Sequence, residues 1–385
     1  MPVRAMPPRR YALALLAASG LCGAACAAEW SAQPGMQWRV DHDSNRRLDP
    51  HASESSQGVW LTLDAELKGA TETSSMVLLP RLDLQRFSGD SDLDANNGSL
   101  QWTFDTQSEK SSLGLGASYE RASTLVSELA DTGIIDASTR RETTSFHATV
   151  GRDLTERQRL ELQGIYEDTQ YPDGVVHGLV GYRYPEVSVT HTLGVTTLTR
   201  LATTAFASKL TAPFTGYESR DVGVRLGFNY ALSPRVTLAA SAGVDESTVR
   251  DTRTQGYLLN LQVTGRSELS QLAFSFDRSA QPSGIGVLVR RDQLSLSAAR
   301  NLAPRLAITL AAHGVRNEKL AGGPAFEERR YFSGDAGLDW RVTQYWILSF
   351  TTGAAHSASS STDSASGWRS ALSVRWSPRV WAVSR

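Results

Sequence analysis

Apolar and polar side chains alternate along most of the chain. Between Asp221 and Tyr230 the alternation is complete: one face collects Val222, Val224, Leu226, Phe228 and Tyr230, and the other collects Asp221, Gly223, Arg225, Gly227 and Asn229. Successive side chains of a β-strand point to opposite faces, whereas a helix repeats its faces with a longer period. The segment is therefore predicted to be a strand with one apolar and one polar face.

The same pattern recurs often enough to predict about 18 strands, most of them about ten residues long. No helical period persists, and no later stretch is long and apolar enough for a membrane-spanning helix. The predicted spans are 36–43, 58–68, 73–87, 98–108, 111–121, 143–153, 157–168, 181–193, 198–209, 220–231, 235–247, 257–266, 270–280, 286–300, 305–316, 329–341, 344–357 and 367–377.

The predicted connections alternate between short turns, such as Ser233-Pro234, and long loops, such as 122–142 and 169–180. Outer-membrane barrels pair short periplasmic turns with longer external loops. Aromatic residues also cluster beside the short turns, where a membrane interface favours them; they are Tyr230, Trp340, Tyr345, Trp346 and Trp376. We interpret the chain as an all-β protein, a transmembrane up-and-down antiparallel β-barrel with both termini periplasmic. A soluble sandwich, propeller or solenoid is the alternative, because alternation alone does not tell which face points inward.

The first 27 residues have the composition of a secretory signal peptide. A basic segment with Arg4, Arg9 and Arg10 precedes the apolar stretch 11–18, and Ala25-Cys26-Ala27 offers a cleavage site. Acylation of Cys26, as in a lipoprotein, is the alternative. We therefore expect export to the outer membrane of a Gram-negative cell.

The predicted organisation is a signal peptide at residues 1–27, a barrel at 28–377 and a short tail at 378–385. The last predicted strand ends at Trp376, an aromatic of the kind expected in the signal for barrel assembly. Pro378 removes a ladder donor from any longer strand. The tail is therefore expected to be unpaired, with a strand continued through residues 380–383 as the alternative.

Charge and motifs narrow the function. The 39 Lys and Arg residues nearly cancel the 40 Asp and Glu residues, so nothing favours nucleic acid as a partner. The sequence contains no H-E-x-x-H and no G-x-S-x-G motif. Neither a metal site, a cofactor nor a catalytic residue is predicted, although a hydrolase whose Ser, His and Asp meet only in space stays open.

In a barrel the polar face of each strand lines the interior. A barrel of about 18 strands is too wide for side chains to fill, so an aqueous channel is expected. Charged residues of both signs lie on this face, together with Asp41, Glu66, Glu120 and Asp245. The candidate pore-lining residues are Arg39, Asp64, Arg81, Asp83, Asp105, Arg225, Asp277, Arg291, Asp335, Asp339, Arg369 and Arg375. A solvated, ion-paired interior without selectivity is the alternative interpretation.

Several short motifs carry a resemblance to known proteins: Leu79-Pro80, Ser123-Thr124-Leu125-Val126-Ser127-Glu128, Ser233-Pro234-Arg235, Pro282-Ser283-Gly284 and Leu338-Asp339-Trp340-Arg341. With these motifs the chain resembles uncharacterised Gram-negative outer-membrane β-barrel porins, some of them encoded beside exopolysaccharide or exosortase systems.

The resemblance implies a pore for a hydrophilic solute, including an exopolysaccharide on export. It further implies outer-membrane lipid, lipopolysaccharide, the barrel assembly machinery and a periplasmic polysaccharide-export protein as partners. Two other hypotheses stay open at this point: a structural or adhesive barrel that acts through its external loops, and a barrel hydrolase.

Overall fold

The computed structural model describes residues 29–51, 54–88, 91–124, 139–172, 174, 178–249, 252–320, 328–360 and 363–384. The predicted signal peptide lies outside these residues. The strands are β1 (Glu29–Asp43), β2 (Ser56–Ala70), β3 (Ser74–Ser88), β4 (Ala95–Gln107), β5 (Ser111–Ser123), β6 (Arg140–Thr155), β7 (Gln158–Gln170), β8 (Tyr182–Gly194), β9 (Thr199–Ala212), β10 (Tyr217–Ser233), β11 (Val236–Val249), β12 (Thr252–Arg266), β13 (Ser270–Pro282), β14 (Leu288–Ala303), β15 (Leu306–Lys319), β16 (Arg329–Arg341), β17 (Trp346–Ser359), β18 (Ala365–Trp376) and β19 (Trp381–Ser384).

The first 18 strands close into one barrel. Each pairs antiparallel with the next, and β1 closes the ring by pairing with β18 from Met36 opposite Trp376 to Asp43 opposite Arg369. A short 3₁₀ turn at Ser91–Leu93 lies in the loop after β3. None of the described helical segments is long and apolar enough to cross a membrane. The prediction of an all-β, up-and-down antiparallel barrel of 18 strands is confirmed.

Most strands are longer than predicted. They contain 12 to 17 residues apart from β19, and β1 begins at Glu29 rather than near residue 36. A tilted strand crosses the apolar part of a bilayer with about 9–11 residues. The alternation of apolar side chains marks only that part. It therefore did not predict the polar ends of the strands, which extend beyond the membrane.

The connections differ between the two ends of the barrel. At one end, which we call the turn end, adjacent strands are joined by two to four residues at 71–73, 108–110, 156–157, 195–198, 234–235, 267–269, 304–305 and 342–345. The opposite, loop end carries the connections 44–55, 89–94, 124–139, 171–181, 213–216, 250–251, 283–287, 320–328 and 360–364. Both described chain ends lie at the turn end. The predicted alternation is confirmed, although 213–216 and 250–251 are themselves short.

The outer surface has an apolar belt between two rings of aromatic side chains. At the turn end the ring contains Tyr230, Trp340, Trp346 and Trp376, and at the loop end it contains Tyr119, Tyr166, Tyr257, Phe332 and Trp368. On β18 Trp376 follows Trp368 by eight positions, about 26 Å along an extended strand. After tilt this length is comparable to the apolar band of an outer-membrane barrel, about 25 Å tall. The two rings therefore mark the two membrane interfaces.

The expectation of an unpaired tail is wrong for four of its residues. The chain leaves the ladder after Trp376 and returns as β19, where Trp381–Ser384 pairs with Glu29–Ala32 of β1. Pro378 interrupts the strand, as expected from its missing N–H. However, β1 extends seven residues before Met36, and its open edge accepts the returning chain.

Candidate functional site

The polar faces of the strands line the inside of the barrel. On β16, for example, Phe332, Leu338 and Trp340 are 53%, 41% and 49% exposed on the outer face. Asp335 and Asp339 occupy alternate positions on the other face. The same alternation and strand register place all twelve candidates inside, namely Arg39, Asp64, Arg81, Asp83, Asp105, Arg225, Asp277, Arg291, Asp335, Asp339, Arg369 and Arg375.

Two of these arginines reach carboxylates two strands away. Arg369 on β18 donates from Nε and Nη2 to the two Asp335 oxygens on β16, at 2.8 and 2.6 Å. Gly353 of β17 lies between them in register, and a Cβ there would overlap the Asp335 carboxylate. Arg375 likewise donates to Asp64 at 2.9 Å. Glycine on the middle strand thus permits an ion pair to bridge alternate strands.

A cavity of about 550 Å³ lies beside the Arg369–Asp335 pair, towards the loop end. Arg46 approaches Asp41 to 3.1 Å, and the Trp60 indole N–H donates to the same carboxylate at 3.2 Å. The Arg46 guanidinium covers the Phe87 ring at 4.5 Å, and Arg39 lies 5.4 Å from the Trp60 ring. The cavity therefore offers charged donors and acceptors beside aromatic rings.

Of the residues that line this cavity, the sequence named Arg39, Asp335 and Arg369 as candidates but missed Arg46, Trp60 and Phe87. Arg46 lies in the loop after β1, where no alternation assigns a face. The two aromatic rings point inward from polar faces. For Trp60 and Phe87, the sequence signal was an aromatic residue on an otherwise polar strand face.

The remaining candidates have separate partners. On β3, Arg81 pairs with Asp83 at 2.7 Å. The guanidinium of Arg225 lies 4.9 Å from the Phe206 ring. Asp277 accepts hydrogen bonds from Asn260 and Ser279 at 3.2 and 2.5 Å.

The other three candidates lie on β14, β4 and β16. Arg291 donates to Asn317 at 3.0 Å. Asp105 faces Gly114 across the β4–β5 register, and Asp339 lies opposite Ser349. Among the described residues, no group of three or more His, Cys, Asp or Glu side chains is arranged to hold a metal ion.

One hairpin departs from the barrel wall. Pairing between β12 and β13 stops where Leu259 meets Arg278, whereas β13 and β14 remain paired up to Pro282 and Leu288. Beyond this split the end of the hairpin, residues 279–291, packs against the inner faces of β8 to β12. We call this segment the folded-in hairpin.

A buried ion pair fixes the folded-in hairpin. Arg290 donates to both Asp245 oxygens at 2.7 and 3.1 Å, and their side chains are only 5% and 0% exposed. The pair passes over Gly256, where a Cβ would meet both side chains. A backbone hydrogen bond from Val180 to Gly284 joins the hairpin to the loop after β7. The sequence predicted the two strands but not their inward course.

Apolar side chains fill the space between the hairpin and the wall. The cluster contains Tyr182, Tyr184, Leu210, Ala212, Tyr217, Val249, Ala280, Val287, Leu288, Val289 and Leu320, each at most 7% exposed. This part of the interior is a packed core rather than a water-filled wall. Leu210 and Ala212 on the inner face of β9 were the available sequence signal.

The closed barrel, its apolar belt and its polar interior define an outer-membrane β-barrel of the porin type. The predicted resemblance to such porins is confirmed at the level of fold, and the predicted outer-membrane location is confirmed with it. No protein-family model matches the sequence, and no curated protein sequence matches it.

Among solved structures, OccAB3 from Acinetobacter baumannii aligns with 91% of this chain and 99% of its own at 11% identity, with a TM-score of 0.50. A BenF-like porin from Pseudomonas fluorescens Pf-5 aligns with 90% of this chain and 99% of its own at 11% identity (TM-score 0.49). OccK5 (OpdH) from Pseudomonas aeruginosa aligns with 91% of this chain and 98% of its own at 14% identity (TM-score 0.48). The similarity to OccAB3 shows a shared barrel fold.

Proposed function

We propose that this barrel is a channel that passes hydrophilic solutes across the outer membrane. The observation that carries the proposal is the inward placement of twelve charged side chains in a barrel of 18 strands. Side chains cannot fill a barrel of that width, so water and solutes fit along a charged wall. A porin-type architecture supports a channel rather than an enzyme.

The proposed route follows the inner face of β16, β17, β18, β1, β2 and β3, which we call the charged wall. Two of its ion pairs remain accessible, since the Arg375 and Asp64 side chains are 38% and 26% exposed and those of Arg369 and Asp335 are 34% and 31% exposed. The folded-in hairpin narrows the opposite side. We place the loop end outside the cell and both termini in the periplasm, because outer-membrane barrels carry their longer connections outside.

An exopolysaccharide on its way out is the narrower proposal, in line with the resemblance to barrels encoded beside such systems. The cavity with Arg46, Asp41 and Trp60 supports it, because bidentate donors and acceptors beside an aromatic ring suit hydroxyl-rich chains. A periplasmic polysaccharide-export protein would then deliver the polymer to the turn end.

Two measurements test the channel. The purified barrel in a planar bilayer should give a steady ohmic conductance, and proteoliposomes should swell in monosaccharides faster than in larger oligosaccharides. Heat-denatured protein is the control. A folded, heat-modifiable barrel that gives neither conductance nor swelling would contradict the proposal. It would favour an adhesive barrel if deletion of its external loops abolished surface binding, and a hydrolase if a single Ser, His or Asp substitution abolished an activity.

A deletion strain tests the polysaccharide proposal. Loss of the barrel should trap polymer in the periplasm and remove it from the cell surface. Unchanged surface polymer, with conductance intact in the purified protein, would leave the channel standing and remove the polymer as its cargo.

A further inference from the structure

The outer face of the barrel carries charge just beyond the aromatic ring of the loop end. Outward positions at the loop ends of β9 to β16 hold six basic residues, which we call the basic rim: Lys209, Arg220, Arg253, Arg278, Arg316 and Arg330. Both Arg220 and Arg330 are exposed, and Arg253 has a side chain that is 76% exposed. This charge lies outside the interior that the proposed channel uses.

The basic rim contains two pairs of like charges directly opposite each other. Arg220 faces Lys209 across β10 and β9, and Arg316 faces Arg330 across β15 and β16. Like charges opposed across strands destabilise a sheet. Within the described residues, no carboxylate lies at ion-pair distance from Arg220 or Arg330. An anion shared between the members of each pair would remove the repulsion.

Four of the six members of the rim already have carboxylate partners. Lys209 pairs with Glu218 at 3.0 Å, Arg316 with Glu318 at 2.5 Å and Arg253 with Glu246 at 3.6 Å. Arg278 pairs with Asp292 at 2.6 Å and with Glu318 at 3.2 Å. None of these acids is at ion-pair distance from Arg220 or Arg330. Two exposed guanidinium groups remain available for an outside ligand.

The height of the rim indicates what that ligand is. Arg330 lies two residues beyond Phe332 on β16, which is about 7 Å along the strand. Further along the rim, the guanidinium of Arg278 on β13 stacks on the Tyr257 ring of β12 at 4.4 Å. Aromatic girdles lie at the level of the lipid headgroups. The rim therefore lies at the depth of headgroup phosphates.

We propose that the basic rim binds the phosphate groups of a lipid A-type glycolipid in the outer leaflet. Arginine suits this ligand because its planar fork donates two hydrogen bonds to one phosphate. Each opposed pair would bridge one phosphate from neighbouring strands. The assignment to the outer leaflet rests on the orientation given under the proposed function, but it does not depend on conductance.

The test compares a rim variant with a matched variant at the other membrane interface. Lys209→Gln, Arg220→Gln, Arg316→Gln and Arg330→Gln together remove both opposed pairs. The control, Arg152→Gln with Arg300→Gln, removes two exposed outward arginines at the turn end. Heat-modifiable migration verifies that each variant is a folded barrel.

Each barrel is mixed in detergent with bis-phosphorylated lipid A, with dephosphorylated lipid A or with phosphatidylglycerol. The readouts are the midpoint temperature for loss of the folded band and bound lipid in native mass spectrometry. We expect bis-phosphorylated lipid A to raise the midpoint of the wild type and of the control. The rim variant should lose more than half of that shift.

Three results would overturn the proposal: an equal shift in the rim variant, an equal shift with dephosphorylated lipid A, or a larger shift with phosphatidylglycerol. The last would place the rim in the inner leaflet. A barrel that conducts no ions but binds lipid A through the rim would refute the channel and leave this inference intact.

Discussion

The two sides of the barrel interior have the same alternating sequence pattern but different packing. On the charged wall, Arg369 and Asp335 form an ion pair whose side chains are 34% and 31% exposed. On the opposite side, Arg290 and Asp245 form the same kind of pair, at 5% and 0%. Each pair passes over a glycine, Gly353 or Gly256, but Arg369 and Asp335 lie two strands apart, whereas Arg290 on β14 reaches Asp245 on β11. The difference teaches that the same kind of ion pair can face water or fix a core, depending on what covers it.

The cause of the difference is a local split in the sheet. Where β13 leaves β12 after Arg278, its hairpin can turn inward and bury Val289 and Leu288 against the wall. On the charged wall, β17 and β18 stay paired up to Ser357 and Ala365, so the sheet keeps its course. At the loop end of this wall the loop after β1 packs Leu48 against Tyr331 and Ala365. The folded-in hairpin is therefore the element on which the comparison depends.

The largest effect is expected from Asp245→Ala. The substitution leaves the buried Arg290 guanidinium without its carboxylate, which costs about 3–5 kcal/mol when one partner of a buried pair is removed. The hairpin should move so that the guanidinium reaches water, and the channel should widen. The midpoint temperature for loss of the folded band and the single-channel conductance measure both effects.

Asp335→Ala is the matched control on the charged wall. Removal of an accessible pair costs about 0–1 kcal/mol, so its midpoint should stay near that of the wild type. Replacement of both partners of the buried pair, Asp245→Leu with Arg290→Met, should restore stability. Equal losses from Asp245→Ala and Asp335→Ala would mean that the two sides do not differ.

The next largest loss of stability is expected from changes on the lipid-facing surface, which has the same apolar belt on both sides of the barrel. Val224 on β10 and Leu372 on β18 are 45% and 52% exposed in the middle of the apolar belt. An arginine at either position should destabilise the barrel by about 2–4 kcal/mol, the cost expected at the bilayer midplane. Folding titrations in lipid vesicles measure the loss.

Asn229→Arg, an inward position on the same strand as Val224, is the control and should be tolerated. If Val224→Arg were harmless while Leu372→Arg was not, the hairpin side of the barrel would be shielded from lipid. That result would extend the difference between the two sides to the outer surface.

The sequence predicted whatever follows from alternation. It placed the barrel, its turn end and all twelve inward candidates, because a period of two residues fixes the face of every side chain in a regular strand. Asp335 and Arg369 are examples: their faces could be read from Leu338 and Trp368, although their pairing over Gly353 could not.

Alternation could not show where neighbouring strands separate. The ion pair between Asp245 and Arg290 joins residues 45 positions apart in the sequence. It depends on the separation of β13 from β12. Leu210 broke the polar pattern of its inner face, but one such residue does not reveal what covers it. The return of β19 was missed for a related reason, since it depends on the open edge of β1.

A smaller effect separates backbone strain from packing of the folded-in hairpin. Gly286 and Gly216 have positive φ angles of 72° and 66°, which cost an L-residue about 1–2 kcal/mol. A Cβ at Gly286 would lie 2.8 Å from Val180 Cγ1 and 3.2 Å from Ala212 Cβ, whereas a Cβ at Gly216 meets nothing within 4 Å.

Backbone strain should therefore lower the folding stability of both Gly→Ala variants. Gly286→Ala should lose more stability, because its Cβ would also press against neighbouring side chains. Gly286→Ala should also produce noisier single-channel currents, because the hairpin would be displaced. If the two variants matched in stability and in current noise, the hairpin would not press against Val180.

The smallest effect on stability, and the sharpest test of the route, comes from neutral substitutions of one carboxylate on each side. Asp335→Asn frees the accessible Arg369 guanidinium on the charged wall, so the reversal potential in a salt gradient should shift towards anions. Folding stability should change by less than about 1 kcal/mol.

Asp221→Asn is the counterpart on the hairpin side, where the carboxyl is 2% exposed and accepts a hydrogen bond from Ser247 at 2.6 Å. It should leave selectivity unchanged, because ions that follow the charged wall do not meet it. If Asp221→Asn shifted the reversal potential as much as Asp335→Asn, ions would pass between the hairpin and the wall, and the interior would have no closed side.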